Sequence, residues 1–217
     1  MKRYVFLVIL LFVTIMALAQ EATPEATAEH TTDCPQPLRI ATWNIENFTV
    51  SRVEDTDQRA AIVDTWLTVG ADIWALQEIG AELALQSLLE EIEAQSGRHY
   101  AYVLMERRGQ QKVGFAWDVD RVELVGDVLE LEDVALANLR PALAATFSYD
   151  DEDFTLVTLH LKATDSRPSQ QIRAAQSKIL VDWLNALPED ADTDIIMLGD
   201  FNDTYDAESL SALAQVL

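Results

Sequence analysis

The sequence predicts an α/β protein, a sandwich of two sheets with helices on the outside. Three observations predict it. A strand–helix–strand unit occurs twice, at 38–78 and again at 154–200. A hairpin lies between these units, and a second leads into the first strand of the later unit. Each strand of the two units has an apolar body and a polar carboxyl end.

The chain of 217 residues opens with "MKRYVFLVILLFVTIMALAQ". Lys2 and Arg3 precede an apolar run from Val5 to Leu18, and Ala17-Leu18-Ala19 is a small-x-small cleavage site. Residues 1–19 read as a signal peptide, too short for a comfortable membrane span, with an uncleaved anchor as the alternative. Either way the rest of the chain crosses a membrane, so a secreted or periplasmic protein is expected. Residues 20–37 are rich in Ala, Thr, Glu and Pro with a short EAT repeat, and read as a disordered spacer. Cys34, the single cysteine, falls there and suggests an intermolecular bond, a lost partner or a free thiol rather than a structural or catalytic group. The folded domain is expected over 38–217.

In the first unit "LRIATWN" (38–44) reads as a buried strand, Ile62, Val63, Trp66 and Leu67 mark one helix face, and "ADIWALQE" (71–78) is the second strand. "YAYVLMER" (100–107) and "KVGFAWD" (112–118) read as a hairpin, which "RVELV" (121–125) continues. "ALAATFSYD" (142–150) and "FTLVTLHLK" (154–162) form a second hairpin through an acidic turn. Pro168 suits a first helical turn. Ile172, Ala175, Ile179, Trp183 and Leu187 give that helix an apolar stripe, and "DIIMLGD" (194–200) closes the second unit. Strand, helix and strand in this order mean parallel crossovers, whose sites form at the carboxyl ends of the strands.

Four such ends carry Asn44-Ile45-Glu46, Gln77-Glu78, His160-Leu161-Lys162 and Asp200-Phe201-Asn202. One by one these could be solvated turns or a structural histidine. Four together argue for one shared rim. Glu78 and Asn44 supply hard oxygen ligands suited to Mg²⁺. Asp200 and Asn202 add an acid and an amide. His160 can serve as general acid or electrostatic clamp. Arg140, Lys162 and the Arg107–Arg108 hairpin tip can neutralise phosphate oxygens. This set suits hydrolysis of a phosphate ester.

The net charge is −22, and loss of Lys2 and Arg3 leaves 13 basic against 37 acidic residues, or −24. Such a surface repels polyanions at long range. It argues against a simple DNA-binding module, and a nucleic acid would be gripped locally, by the basic tip or by cations.

"IATWNIENF", "ALQEI", "LRPAL", "TLHLKA" and "GDFND" occur in this order. In order and spacing they resemble the endonuclease/exonuclease/phosphatase family, with its DNase I-like four-layer sandwich, over about 38–205. The resemblance implies that Asn44 and Glu78 serve metal and phosphate, and that Arg140 contacts phosphate. It also implies that His160 aids the leaving group, while Asp200 and Asn202 orient water and phosphate. Mg²⁺ is the expected cofactor, with Mn²⁺ or Ca²⁺ as alternatives, and a monomer is expected. Two departures stand out. Pancreatic-type members place a Glu before the hairpin strand as partner of the histidine, where this chain has Gln110-Gln111-Lys112. The family also ends in an Asp-His pair, but no histidine follows His160. The last strands are therefore expected to be missing and the 217-residue chain to be poorly active.

Asp203-Thr204 replaces the Tyr-Arg typical of inositol-phosphate phosphatases, and "ERRGQQK" is polar where sphingomyelinase types carry an apolar hairpin. The expected function is an exported, metal-dependent nuclease acting on DNA or RNA. The alternatives are a phospholipid or small-phosphoester hydrolase and a non-catalytic binding domain.

Overall fold

The structure, a computed structural model, describes residues 36–106, 111–189 and 191–216. The signal peptide, most of the spacer, Cys34, Arg107 and Arg108 lie outside the described residues. The strands are β1 (Ile40–Phe48), β2 (Ile73–Ile79), β3 (Tyr100–Leu104), β4 (Lys112–Asp118), β5 (Glu123–Leu131), β6 (Ala142–Tyr149), β7 (Glu152–His160) and β8 (Ile195–Asp200). The helices are α1 (Val50–Glu54), α2 (Thr56–Val69), α3 (Glu82–Ser96), α4 (Arg167–Ala186) and α5 (Ser211–Ala214).

One sheet has the order β1-β2-β4-β3, the other β5-β6-β7-β8. The pairs β1–β2 and β7–β8 are parallel and the remaining pairs antiparallel. Both parallel pairs are those the two strand–helix–strand units predict. The sequence 121–125 does not continue the first hairpin: β5 crosses to the second sheet and pairs with β6. The turn between β6 and β7 is Asp150-Asp151, both at positive φ (55° and 65°). That conformation matches the twist of a tight hairpin and suits Asp.

Strand alternation builds three apolar layers. Trp74 and Leu76 of β2 face α2 and α3, where Trp66 stacks on Trp74 at 4.3 Å between ring centroids. Ile73 and Ala75 point the other way, toward Leu143, Ala145, Phe147 and Leu156 of the second sheet. Val157 and Leu159 of β7 face outward onto Leu180, Leu210 and Leu213. The result is helix, sheet, sheet, helix.

Helix α4 departs from its sequence pattern. Its buried residues are Ser169, Arg173, Gln176, Ser177 and Leu180. Ile172, Ile179, Trp183 and Leu187 are only partly covered and Ala175 is exposed. The helix is capped by Ser166, whose side chain accepts from the Ser169 N–H, and Pro168 sits in its first turn, as expected. Its polar side packs inward because it lies over the polar end of β7 and the loop that follows. Helix α3 carries the burial of Leu85, Leu88 and Ile92 and has no counterpart in the sequence reading.

Candidate active site

The seam between the sheets is apolar at one end and polar at the other. Along its facing positions β1 runs Ile40, Thr42, Asn44. Strand β2 runs Ile73, Ala75, Gln77; β7 runs Leu156, Thr158, His160; β8 runs Leu198, Asp200. Each change falls toward the carboxyl end. The four polar ends meet because β1 and β2 lie against β7 and β8. Gln77 forms the floor: its Nε2 donates to Thr158 Oγ1 (3.1 Å), Thr42 Oγ1 (3.1 Å) and the Ala75 carbonyl (3.0 Å). A buried amide so satisfied locks the two sheets in register at the site.

Above that floor, Asn44 is the hub. Its Nδ2 donates to Glu78 Oε1 and to Asp200 Oδ2, both at 2.9 Å. Its Oδ1 accepts from the Glu46 N–H at 2.9 Å. The amide nitrogen, not the oxygen, therefore faces the carboxylates. To ligate a cation, as the sequence predicts, Asn44 must turn its oxygen inward, a rotation about one side-chain bond.

Glu78 breaks the alternation that would otherwise send it toward the helices. Its φ is 62°, and the β2–β4 pairing slips between Leu76 and Ile79. Irregularities of this kind re-aim side chains beside active sites. Glu46 and Asn47 are likewise left-handed, at φ 51° and 50°. Arg52 of α1 holds that turn by donating to the Ile45 carbonyl (2.8 Å) and the Glu46 carbonyl. The turn in exchange brings the Asn47 N–H to Glu78 Oε2 at 2.9 Å.

His160 is buried, 4% exposed. Its Nε2 lies 3.7 Å from Asp200 Oδ2 and 3.9 Å from Glu78 Oε1. Its Nδ1 is buried with no partner among the described residues. Burial pushes its pKa down to about 4, the Arg140 charge pushes the same way, and Asp200 and Glu78 pull back. At neutral pH the ring is uncharged and donates or accepts hydrogen bonds through one nitrogen each.

Arg140 donates through Nε to the His160 carbonyl (2.9 Å) and through Nη1 to Gln111 Oε1 (2.8 Å). Burial lowers its pKa, against the pull of Glu78 and Asp200. Asn202, at φ 53°, donates its N–H to Asp200 Oδ1 (2.9 Å) and its side chain to the Leu161 carbonyl (3.1 Å). Asn202 thus fixes the Asp200 carboxylate and the chain beyond β7.

Lys162 joins the site through its backbone. Its N–H donates to Gln176 Oε1 (3.0 Å) and its carbonyl accepts from Arg173 Nη1 (2.8 Å). Its ammonium makes no hydrogen bond to the other site residues among the described residues. Arg173, 1% exposed, also donates to the Thr164 carbonyl (2.7 Å) and to Asp203 Oδ2 (2.9 Å). Ser209 donates to the same oxygen at 2.6 Å. The sequence placed Gln77 on the rim and Gln111 before the hairpin strand without giving either a role, and it missed Arg173 and Gln176. The available signal was polar residues at positions whose strand or helix phase points inward.

The donor set suits a hard, water-rich cation: two carboxylates and an amide converge, with no thiolate. No group of three or more His, Cys, Asp or Glu side chains among the described residues is placed to hold a metal. A cation here would complete its shell with amide oxygen and water.

The chain matches the Endonuclease/Exonuclease/phosphatase family over residues 41–215. It belongs to that family. No curated protein sequence matches the chain. The solved structure of D. rerio TDP2 with a single-strand DNA product is 21% identical, covers 81% of this chain and 64% of that one, and superposes at a TM-score of 0.61. The human Nocturnin catalytic domain with bound sulfate is 22% identical, with coverages of 82% and 68% and a TM-score of 0.65. A Bacteroides thetaiotaomicron mannosyl-6-phosphatase is 16% identical, with coverages of 83% and 71% and a TM-score of 0.62. The chain spans 66% and 64% of the two D. rerio TDP2 chains it matches. At these identities the likeness establishes the fold, and the family fold carries the two-sheet sandwich expected from the sequence.

Proposed function

We propose that this family member is a divalent-metal-dependent phosphodiester hydrolase, an exported nuclease acting on DNA or RNA. The observation that carries the reading is the single Asn44 amide bridging Glu78 and Asp200, with His160 Nε2 within 4 Å of both acids. Carboxylates brought this close repel each other unless hydrogen bonds or a cation lie between them.

Glu78 and Asn44, its oxygen turned inward, would hold the cation, which polarises the phosphoryl oxygen when bound. The Arg140 guanidinium binds a non-bridging phosphate oxygen with the hydrogen-bonding capacity left by Gln111 and the His160 carbonyl. His160 presents Nε2 to the leaving oxygen and, being neutral, stabilises it as a hydrogen-bond donor. Asp200, held by Asn44 and Asn202, accepts a hydrogen bond from the attacking water. The basic 107–112 sequence supplies a local grip on a nucleic acid backbone. The D. rerio TDP2 neighbour, described with a DNA product, supports a nucleic acid substrate. The mannosyl-6-phosphatase neighbour supports a second reading, a small-phosphoester hydrolase. The amino-terminal apolar run supports export, and no helix of the described residues is long and apolar enough to cross a membrane.

The test is hydrolysis of single- and double-stranded DNA, RNA, sphingomyelin, a sugar phosphate and bis-p-nitrophenyl phosphate, each with Mg²⁺, Mn²⁺, Ca²⁺ or chelator. Nucleic acid cleavage lost on chelation and in His160→Ala is expected. Preferential turnover of the sugar phosphate would favour the second reading. Binding of DNA without turnover under every metal would make the chain a binding domain.

A further inference from the structure

Gln111 stands between two groups of opposite charge. Its Oε1 accepts from Arg140 Nη1 at 2.8 Å. Its Nε2 donates to Glu78 Oε2 at 3.2 Å and to Asn47 Oδ1 at 3.1 Å. The guanidinium and the carboxylate are therefore two hydrogen bonds apart, separated by one carboxamide. Both are largely sheltered from water, the Glu78 side chain being 12% exposed. In such surroundings an Arg and a Glu attract strongly and form a bidentate pair if nothing separates them. That pair would spend the Glu78 lone pairs and the Arg140 donors on each other.

We infer that Gln111 is a positioning residue that insulates Arg140 from Glu78, keeping the guanidinium available to an anion and the carboxylate available to a cation. The residue type fits the task. A carboxamide offers one acceptor and one donor group, matching the guanidinium on one side and the carboxylate on the other. A carboxylate at 111 would satisfy Arg140 but face Glu78 with like charge. An aliphatic side chain of the same length would hold the two charged neighbours apart and leave both short of a partner. Gln111 makes no hydrogen bond to His160 among the described residues, so its part differs from that of the glutamate expected there in pancreatic-type members. The inference rests on the assignment of Glu78 to the cation and Arg140 to the phosphate given above.

The experiment is a double-mutant cycle on the full chain, read by binding rather than turnover. Mn²⁺ and inorganic phosphate are titrated calorimetrically into the wild type, Gln111→Ala, Arg140→Gln and the double variant, with thermal unfolding followed for each. In Gln111→Ala, Arg140 closes on Glu78 and Mn²⁺ affinity falls by about tenfold. In the Arg140→Gln background the same Ala substitution changes Mn²⁺ affinity by less than about twofold, because no cation remains to be insulated. Gln111→Glu is the second variant: it raises Mn²⁺ affinity by adding a carboxylate beside Glu78, and weakens phosphate binding by occupying Arg140. Equal losses of Mn²⁺ affinity in both backgrounds, or parallel losses of Mn²⁺ and phosphate binding in Gln111→Glu, would overturn the insulating role. Failure of the underlying assignment reads differently: Glu78→Gln would then bind Mn²⁺ as well as the wild type.

Discussion

Gly199 is the residue on which the polar end of β8 depends. Its φ is 137°, and a Cβ built there would stand 2.1 Å from the Leu159 carbonyl oxygen, 2.9 Å from Leu159 N and 3.0 Å from Leu159 C. These are backbone atoms of the adjacent strand, so no side chain can swing away to make room. Leu159 and Gly199 are register partners, and the next pair is His160 with Asp200. Gly199→Ala must therefore push β8 from β7 by roughly 1 Å, which carries the 2.9 Å bond from Leu161 N–H to the Asp200 carbonyl out of hydrogen-bond range. The strained backbone costs about 1–3 kcal/mol, and each lost ladder bond about 0.5–1.5 kcal/mol. With that one bond lost the sum is about 1.5–4.5 kcal/mol, a sizeable part of the ~5–15 kcal/mol that holds a domain folded. Urea unfolding followed by tryptophan fluorescence measures it. A fall in Tm of about 3–18 °C accompanies it. Because Asp200 moves with the strand, Mn²⁺ affinity of the folded fraction falls as well. An Ala variant within about 0.5 kcal/mol of the wild type would refute the reasoning, since ordinary surface changes are of that size.

Arg173→Met strips Asp203 and the Lys162 and Thr164 carbonyls of a buried partner. It should cost about 2–3 kcal/mol in the same assay, below the ~3–5 kcal/mol of a fully buried pair, because Asp203 retains Ser209 and some water. Asp203 itself titrates below its ordinary value, held there first by the Ser209 hydroxyl and then by Arg173 and the Thr204 N–H. A carboxyl depressed in the folded state adds stability above its unfolded value of 3.8, and that stability disappears as pH falls through the folded value. Urea midpoints of wild type and Asp203→Asn should therefore differ at pH 5–7 and converge in strong acid; a gap that persists at the lowest pH would assign the loss to packing instead.

Some of this could be read from the chain alone. Apolar runs placed Ala75, Leu156 and Leu198 in strands, and chain direction placed Asn44, Glu78, His160 and Asp200 at their carboxyl ends. The order strand–helix–strand made both pairs parallel, since a crossover returns the chain in the same sense. These are consequences of local geometry, and a local pattern carries them. The α4 stripe misled, because hydrophobicity marks the inward face only where the neighbours are apolar. Arg173 and Gln176 face backbone carbonyls and N–H groups of the β7–α4 loop, and polar side chains meet them best.

Who touches whom was decided by tertiary structure. Asn44 and Asp200 are 156 positions apart, and Gln77 and Thr158 are 81 apart. Nothing in either segment states the stagger of one sheet on the other. Glu78 reaches the rim only through a left-handed residue and a slipped pairing, which a strand pattern does not announce. Gln111 stood out in the sequence only as a departure from the family's glutamate, and the fold alone set it between Arg140 and Glu78. The sequence settles which faces and ends are polar because those follow from bond geometry along the chain. Which polar groups become partners follows from packing between segments remote in sequence, and that is a property of the folded molecule.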